Sequence, residues 1–446
     1  MMFKYFPHTD TDIREMLEKI NAGSIDELFK DVPRDVFFGG DYDLGEAMSE
    51  IELRKHIQDI ASQNKVFTTF AGLGVYDHYE PSVINALISR QEFLTSYTPY
   101  QPEVSQGTLQ YIFEFQSMIQ TLTGMDAANA SMYDGSTATS EACFMAEAIT
   151  RRKKIICSGT VNPNTIAVIK TYLHFKGLEF VIAPVKDGET DPIALAALVD
   201  DDTAAVIIQK PNFFGIIEDV SPLSEIAHQK GALLIENADI STLAILKTPR
   251  EDGADIVVGD CQSLGMPMAY GGPTAGYMAT LKQYVRKLPG RICGMSKDVN
   301  GRRAYVLTLQ AREQHIRREK ANSNICSNQS LMALYATIYL SLMGKEGLKE
   351  VNELSYQGAH YLKDRLEETG KFTLAFAKPF LKEFVMRTNL PIELIQKALL
   401  EAGIFGAVPL EAYSEDYKGL VAFAVTEKRT KEEIDNMCRI LGGLSW

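Results

Sequence analysis

Four stretches of this 446-residue chain carry residue types that do chemistry. The first is the turn Gly259-Asp-Cys-Gln-Ser-Leu-Gly, which follows the β-branched run Ile256 to Val258 and precedes the glycine pair Gly271-Gly272. An acidic strand, Ala232 to Glu236, comes before it. The second is Ser131-Met-Tyr-Asp-Gly-Ser-Thr-Ala-Thr. There Asp134 and Gly135 make a turn, and Ser136, Thr137 and Thr139 crowd a helix start, whose free N–H groups and hydroxyls suit a phosphate or simply cap the helix. The third, Tyr97-Thr-Pro-Tyr-Gln-Pro-Glu-Val-Ser-Gln-Gly, is an extended polar segment stiffened by two prolines, either a ligand-holding loop or a rigid connector. The fourth, Arg286 to Lys320, sets ten bases against three acids. The turn has no lysine, and the first one after it is Lys282.

The bulk composition narrows the class. Hydrophobic residues make up 46% of the chain, ample for a large core in two or three domains. The net charge of -13 argues against general nucleic-acid binding, because phosphates would repel the chain. The basic stretch lacks the interleaved aromatics that stack on bases. No stretch approaches the roughly 20 apolar residues that span a bilayer. The start, Met-Met-Phe-Lys-Tyr-Phe-Pro-His, lacks the long apolar segment of a signal peptide. Cysteines 143, 157, 261, 293, 326 and 438 are scattered with no C-x-x-C pair, as expected of reduced thiols in the cytoplasm.

Elements must position these stretches. Residues 11–30 read as two short helices, the first capped by Thr11-Asp12 and the second by Ser24 with Glu27, and 43–62 as an amphipathic helix. Together they predict a helical N-terminal arm over 1–65. Gly72 and Gly74 beside aromatics, with His78, predict a tight loop near a pocket. A long helix is expected over 108–122. From Lys154 to Val258 strands alternate with helices: strands at 155–157, 179–183, 205–209, 233–236 and 256–258, helices at 164–176, 192–199 and 220–230. That alternation predicts an α/β fold with a mostly parallel sheet over 66–325. Ligands bind such sheets beyond the carboxyl ends of the strands, so Gln209-Lys-Pro-Asn and Glu236-Asn-Ala-Asp should point into one crevice, with Asn212 presented there. Lys210 precedes the acidic strand and makes a poor substitute for a lysine in the turn after it. Helices at 327–343 and 347–368 separated by Gly344, strands at 372–377, 383–387 and 419–424, and helices at 391–402 and 431–441 predict a smaller C-terminal α/β domain, 326–446.

Several motifs together resemble the P protein of the glycine cleavage system, and within that family the N-terminal-half subunit of its two-subunit form. They are Pro7-His-Thr-Asp, Gly74-Val-Tyr-Asp-His-Tyr, Thr98-Pro-Tyr-Gln-Pro-Glu-Val-Ser-Gln-Gly-Thr-Leu-Gln, Tyr133-Asp-Gly-Ser-Thr-Ala, Val161-Asn-Pro-Asn-Thr, Pro211-Asn-Phe-Phe-Gly, Gly259-Asp-Cys-Gln-Ser-Leu-Gly and Leu307-Thr-Leu-Gln-Ala-Arg-Glu-Gln-His-Ile-Arg-Arg-Glu-Lys-Ala. The resemblance implies a type I pyridoxal-phosphate, aminotransferase-like fold. It puts Gln262 where the catalytic subunit carries its cofactor-holding lysine, and Glu236 where the ring-nitrogen acid stands. An amide nitrogen is not nucleophilic, so Gln262 cannot anchor the cofactor. The implied picture is a degenerate site around Gln262, Glu236, Ser136 and Thr137, with no catalytic or metal-binding residue in this chain and pyridoxal phosphate held by the partner.

The implied reaction is glycine decarboxylation with transfer of the aminomethyl group to the lipoyl arm of H protein, within a system that also includes T and L proteins. The implied assembly is an α2β2 heterotetramer with the second subunit. Tyr97, Thr98, Tyr100 and Gln101 are expected, by position, to border the active-site approach. The basic stretch, Arg317 and Arg318 included, is either a solvated face or a contact for an acidic partner or a substrate phosphate, the partner being an acidic carrier or the second subunit. An independent pyridoxal-phosphate lyase or aminotransferase, or a nonenzymatic scaffold, are the alternatives.

Overall fold

The computed structural model describes residues 7–321, 323–325 and 327–445. Cys326 and the opening residues Met1 to Phe6 lie outside the described residues. The chain divides into two units, Met1–Lys65 and Val66–Trp446.

In the first unit the helix Asp10–Lys19 is capped by Thr9, whose hydroxyl accepts from Asp12 N while the Asp12 carboxylate accepts from Thr9 N. The cap therefore lies upstream of the expected Thr11-Asp12. Ser24 and Glu27 bond as expected, but the element they start is one 3-10 turn, Asp26–Phe29. The amphipathic helix spans Glu50–Ala61, not 43–62, because a second reciprocal cap between Ser49 and Glu52 fixes its start. None of the three elements has a buried residue.

The second unit is built on a seven-stranded sheet: β1 (Ala127–Ala128), β2 (Lys154–Ser158), β3 (Glu179–Ala183), β4 (Thr203–Lys210), β5 (Leu233–Ala238), β6 (Ile256–Asp260) and β7 (Gly276–Thr280). Their spatial order is β1-β7-β6-β5-β4-β2-β3. Strands β2 to β6 run parallel, and β7 is antiparallel to both β6 and β1. Successive side chains point to opposite faces of a strand. Both faces are apolar here, which is why the strands read as continuous runs. Val206, Ile208, Leu234 and Val257 face a layer containing Phe115, Ile119, Tyr335 and Tyr339. Ala205, Ile207, Ile235, Ile256 and Val258 face Ala138, Ala142, Ala146, Ile169 and Leu173. The sheet is thus the middle layer of three.

The helix Ser330–Glu368 is interrupted at Gly344, whose φ of 56° and ψ of -167° break it where the sequence predicts. Its second half, through Ala359, Leu362 and Leu366, covers a four-stranded antiparallel sheet of Phe372–Leu374, Glu383–Thr388, Leu420–Ala424 and Val408–Pro409. Strand Thr68–Thr69 pairs with Ile404–Phe405. The basic stretch contains a hairpin, Ile292–Lys297 with Arg303–Thr308, that its charge pattern conceals. No described helix is long and apolar enough to cross a membrane.

Candidate functional site

The carboxyl ends of β5 and β6, the start of the helix Gly135–Thr150 and the loop 73–76 enclose a cavity of about 260 Å³. Gln262, Ser136, Gln209, Asn237, Asp239 and Asp260 are among its lining residues, so the crevice lies where the alternating strands place it.

The helix start is already filled by the protein's own carboxylates. Gly135 N donates to Asp260 Oδ2 (3.0 Å), and Thr137 N and Oγ1 donate to Asp134 (2.8 Å each). Ser136 Oγ lies 2.9 Å from Thr165 Oγ1. Asp260 also accepts from Gln262 N (2.8 Å) and from the Thr274 hydroxyl. Gly135 permits this closeness: a Cβ there would come 3.0 Å from Asp260 N. Burial pushes the Asp260 carboxyl up to about 6, against the hydrogen bonds from Thr274, Gly135 and Gln262.

Gln262 is a clamp. Its Oε1 accepts from Tyr76 N (2.9 Å), and its Nε2 donates to Tyr76 O and to Met266 O (2.8 Å each). The amide thus pins the loop 73–76 across the cavity, with both polar atoms used.

Glu236 departs from expectation. Asn237, Ala238 and Asp239 reach the cavity, whereas the Glu236 carboxyl is buried with Lys210, Nζ at 3.4 Å, and burial raises it to about 7. Lys210 in turn bonds Asp252 and Lys247 O (3.0 Å), so its amine serves this buried group and not the crevice. Asn212 is not presented to the crevice either. Its Nδ2 donates to Glu218 (2.7 Å) and Gly188 O (2.8 Å), and its Oδ1 accepts from Phe214 N, which makes it the organiser of its own turn.

Behind the cavity sits a charge cluster that the sequence did not reveal. Lys382 Nζ is 2.6 Å from Asp239 Oδ2 and 3.1 Å from His78 Nε2, and its ammonium lies over the Tyr76 ring at 4.1 Å. His78 Nδ1 meets Glu427 at 2.7 Å. Burial, then the Lys382 charge, hold His78 below its ordinary value, while Glu427 works against them. Burial pushes Asp239 up, but the Lys382 charge, the hydrogen bonds from Lys382 and Ser263 and the nearby His78 together outweigh it and hold the carboxyl below the ordinary value.

Tyr97, Thr98, Tyr100 and Gln101 are not among the residues lining this cavity. Tyr100 lies with the basic stretch. Tyr100 OH accepts from Arg291 (2.7 Å), its ring lies under that guanidinium at 5.0 Å, and His315 meets the ring edge-on. Tyr97 OH is 3.1 Å from Ser327 Oγ. A second cavity, of about 240 Å³, opens within the same basic stretch.

Pyridoxal phosphate does not fit the first cavity. No lysine lines it among the described residues, the helix start faces carboxylates that repel a phosphate, and the acid meant for the ring nitrogen points elsewhere.

Comparison with known proteins places the chain. The family model described as glycine cleavage system P-protein matches residues 3–441. A protein of Brevibacillus brevis named probable glycine dehydrogenase (decarboxylating) subunit 1 is 50% identical over 439 residues, 98% of this chain and 97% of the relative. Its namesake in Desulforamulus reducens is 50% identical over 445 residues, 99% of this chain and all of the relative. The crystal structure of an inhibitor-bound glycine decarboxylase (P-protein) superposes with a TM-score of 0.89 at 43% identity, covering 99% of both chains. A Lactobacillus brevis glutamate decarboxylase shares the fold alone, with a TM-score of 0.69 at 13% identity over 92% of this chain and 97% of the other. The architecture is that of the type I pyridoxal-phosphate enzymes, and the chain belongs to the glycine cleavage system P-protein family.

Proposed function

We propose that this chain is the noncatalytic first subunit of a two-subunit glycine decarboxylase. In this reading the second subunit carries the lysine and the pyridoxal phosphate, and glycine loses its carboxylate there. The remaining aminomethyl group then passes to the lipoyl group of H protein. The observation that carries the reading is the commitment of Gln262: its amide is spent on Tyr76 and Met266, and its neighbour Asp260 fills the helix start. What this chain contributes is a rigid half of an α2β2 assembly. Full-length similarity to proteins named subunit 1 supports the partner subunit. The five described cysteines, all buried and unpaired, are compatible with a reducing cytoplasm. The basic stretch serves as docking surface for an acidic carrier.

Reconstitution tests the reading. The chain alone should release no carbon dioxide from glycine, and adding the second subunit should restore release. A Gln262→Ala chain should support nearly normal turnover once assembled. Decarboxylation by the chain alone, or loss of turnover in an intact Gln262→Ala complex, contradicts it. Charge reversal at Arg317 and Arg318 should slow transfer to H protein and leave folding unchanged, and unaltered transfer kinetics would remove the docking role.

A further inference from the structure

The second cavity has none of the self-sufficiency of the first. Arg286, Lys287, Arg312, Arg317 and Lys320 line it, from four separate short elements. Glu313 is the one carboxylate among its lining residues. That carboxylate is already engaged, with Arg291 Nε at 3.8 Å and His315 Nδ1 at 3.5 Å. None of the five cations has a carboxylate within salt-bridge distance among the described residues. The chain as a whole carries -13, so five uncompensated positive charges around one small cavity run against its bulk electrostatics.

Arg312 is the most committed of them. Its Nε donates to Leu309 O (3.2 Å) and its Nη2 to Gly290 O (3.2 Å), which fixes the guanidinium plane. Its Nη1 is buried and has no hydrogen-bond partner among the described residues. Burial lowers its pKa below the ordinary arginine value, and the nearby Glu313 charge does not make up for it. A buried, unmet donor on a fixed fork is costly on its own, and an anion's oxygens would remove that cost.

We infer that this cavity binds the dianion of a phosphate monoester. A cluster of several cations calls for more than one negative charge at one point, and an arginine fork matches the spacing of phosphate oxygens better than that of a single hydroxyl or halide. Such a dianion has two sources: a free small molecule, or a phosphate-bearing cofactor held by the second subunit and presented at this surface. Binding of a phosphate monoester to this chain alone is independent of the proposed decarboxylase role, and only the cofactor as its source rests on that reading.

Titration calorimetry on the full-length chain tests it, with inorganic phosphate and phenyl phosphate as probes and glutarate at matched ionic strength as the control. Phenyl phosphate has no aldehyde, so lysine adducts play no part. Saturable binding of both phosphates, at least tenfold tighter than glutarate, is expected. Arg312→Gln should weaken it at least tenfold. The double variant Arg286→Gln with Lys320→Gln changes only exposed side chains and should weaken it at least threefold even if Arg312→Gln fails to fold. Arg302→Gln, outside the cavity, should change nothing. In the complex with the second subunit, binding that persists after cofactor loading identifies a free phosphate ester as the ligand, and binding lost on loading identifies the cofactor's own phosphate. Absence of saturable binding to the chain, equal affinity for glutarate, or unchanged affinity in both cavity variants overturns the inference.

Discussion

The two cavities of this chain are close in volume and opposite in chemistry. In the first, the polar groups that matter bond to one another: Asp260 and Asp134 take the N–H groups of the helix start, and Gln262 takes both sides of the Tyr76 peptide. In the second, cations crowd together, and the one acid among them is bonded elsewhere. A site shaped to receive a ligand leaves donors or charges unmet, because the ligand is to meet them. A site that has become part of the scaffold closes its own hydrogen bonds. By that criterion the first cavity is architecture and the second is a receptor.

This contrast predicts where substitutions hurt. Asp260→Ala strips the acceptor from Gly135 N, Gln262 N and the Thr274 hydroxyl. It should cost about 3 kcal/mol or more in urea-induced unfolding, since each buried donor left unmet costs roughly 1–3 kcal/mol. Gln262→Ala, which frees the Tyr76 peptide, should cost about 2 kcal/mol and speed amide exchange at Tyr76. If either change is silent, the first cavity is not structural.

Glu236 gives a pH signature. Its folded carboxyl titrates at about 7 against an ordinary 4.5, so folding favours its protonated form. The stability it allows is complete below about pH 4.5 and is lost as pH rises through about 7. Glu236→Gln removes that loss. Its advantage over the native chain should be near zero at pH 4.5 and grow to about 3 kcal/mol by pH 8, followed by thermal unfolding across that range. The smallest effect belongs to the second cavity. Arg286→Gln with Lys320→Gln should shift stability by less than about 0.5 kcal/mol, because neither side chain holds the fold. A large loss there would turn the receptor into scaffold and erase the contrast.

The sequence made the frame legible and the closure of the first cavity illegible. Runs such as Ala205 to Gln209 and Ile256 to Val258 declare buried parallel strands because both faces need apolar residues, and β2 to β6 stand where those runs predict. Strand β7 escaped because Gly276-Tyr-Met-Ala-Thr is short and follows a glycine-proline turn. The hairpin at 292–308 escaped because charge drew the eye from its alternation.

In the site, the hydroxyl-rich helix start and the lysine-free turn were readable as motifs. Their mutual occupation was not, because Gly135 and Asp260 are 125 residues apart and only the folded sheet brings them together. Glu236 and Asn212 misled for the opposite reason. Each sits at a strand end that points to the crevice, but local partners, Lys210 for one and Glu218 for the other, turn the side chain away.

The central claim, that this chain cannot hold the cofactor covalently, is open to one direct measurement. The purified chain is incubated with pyridoxal phosphate, reduced with borohydride and mapped by peptide mass spectrometry, with the second subunit as positive control. The account predicts no stoichiometric adduct on this chain and one on the partner. A stoichiometric adduct here, above all on Lys382, whose amine stands against the cavity-lining Asp239, would contradict it and make this half a cofactor-binding enzyme in its own right.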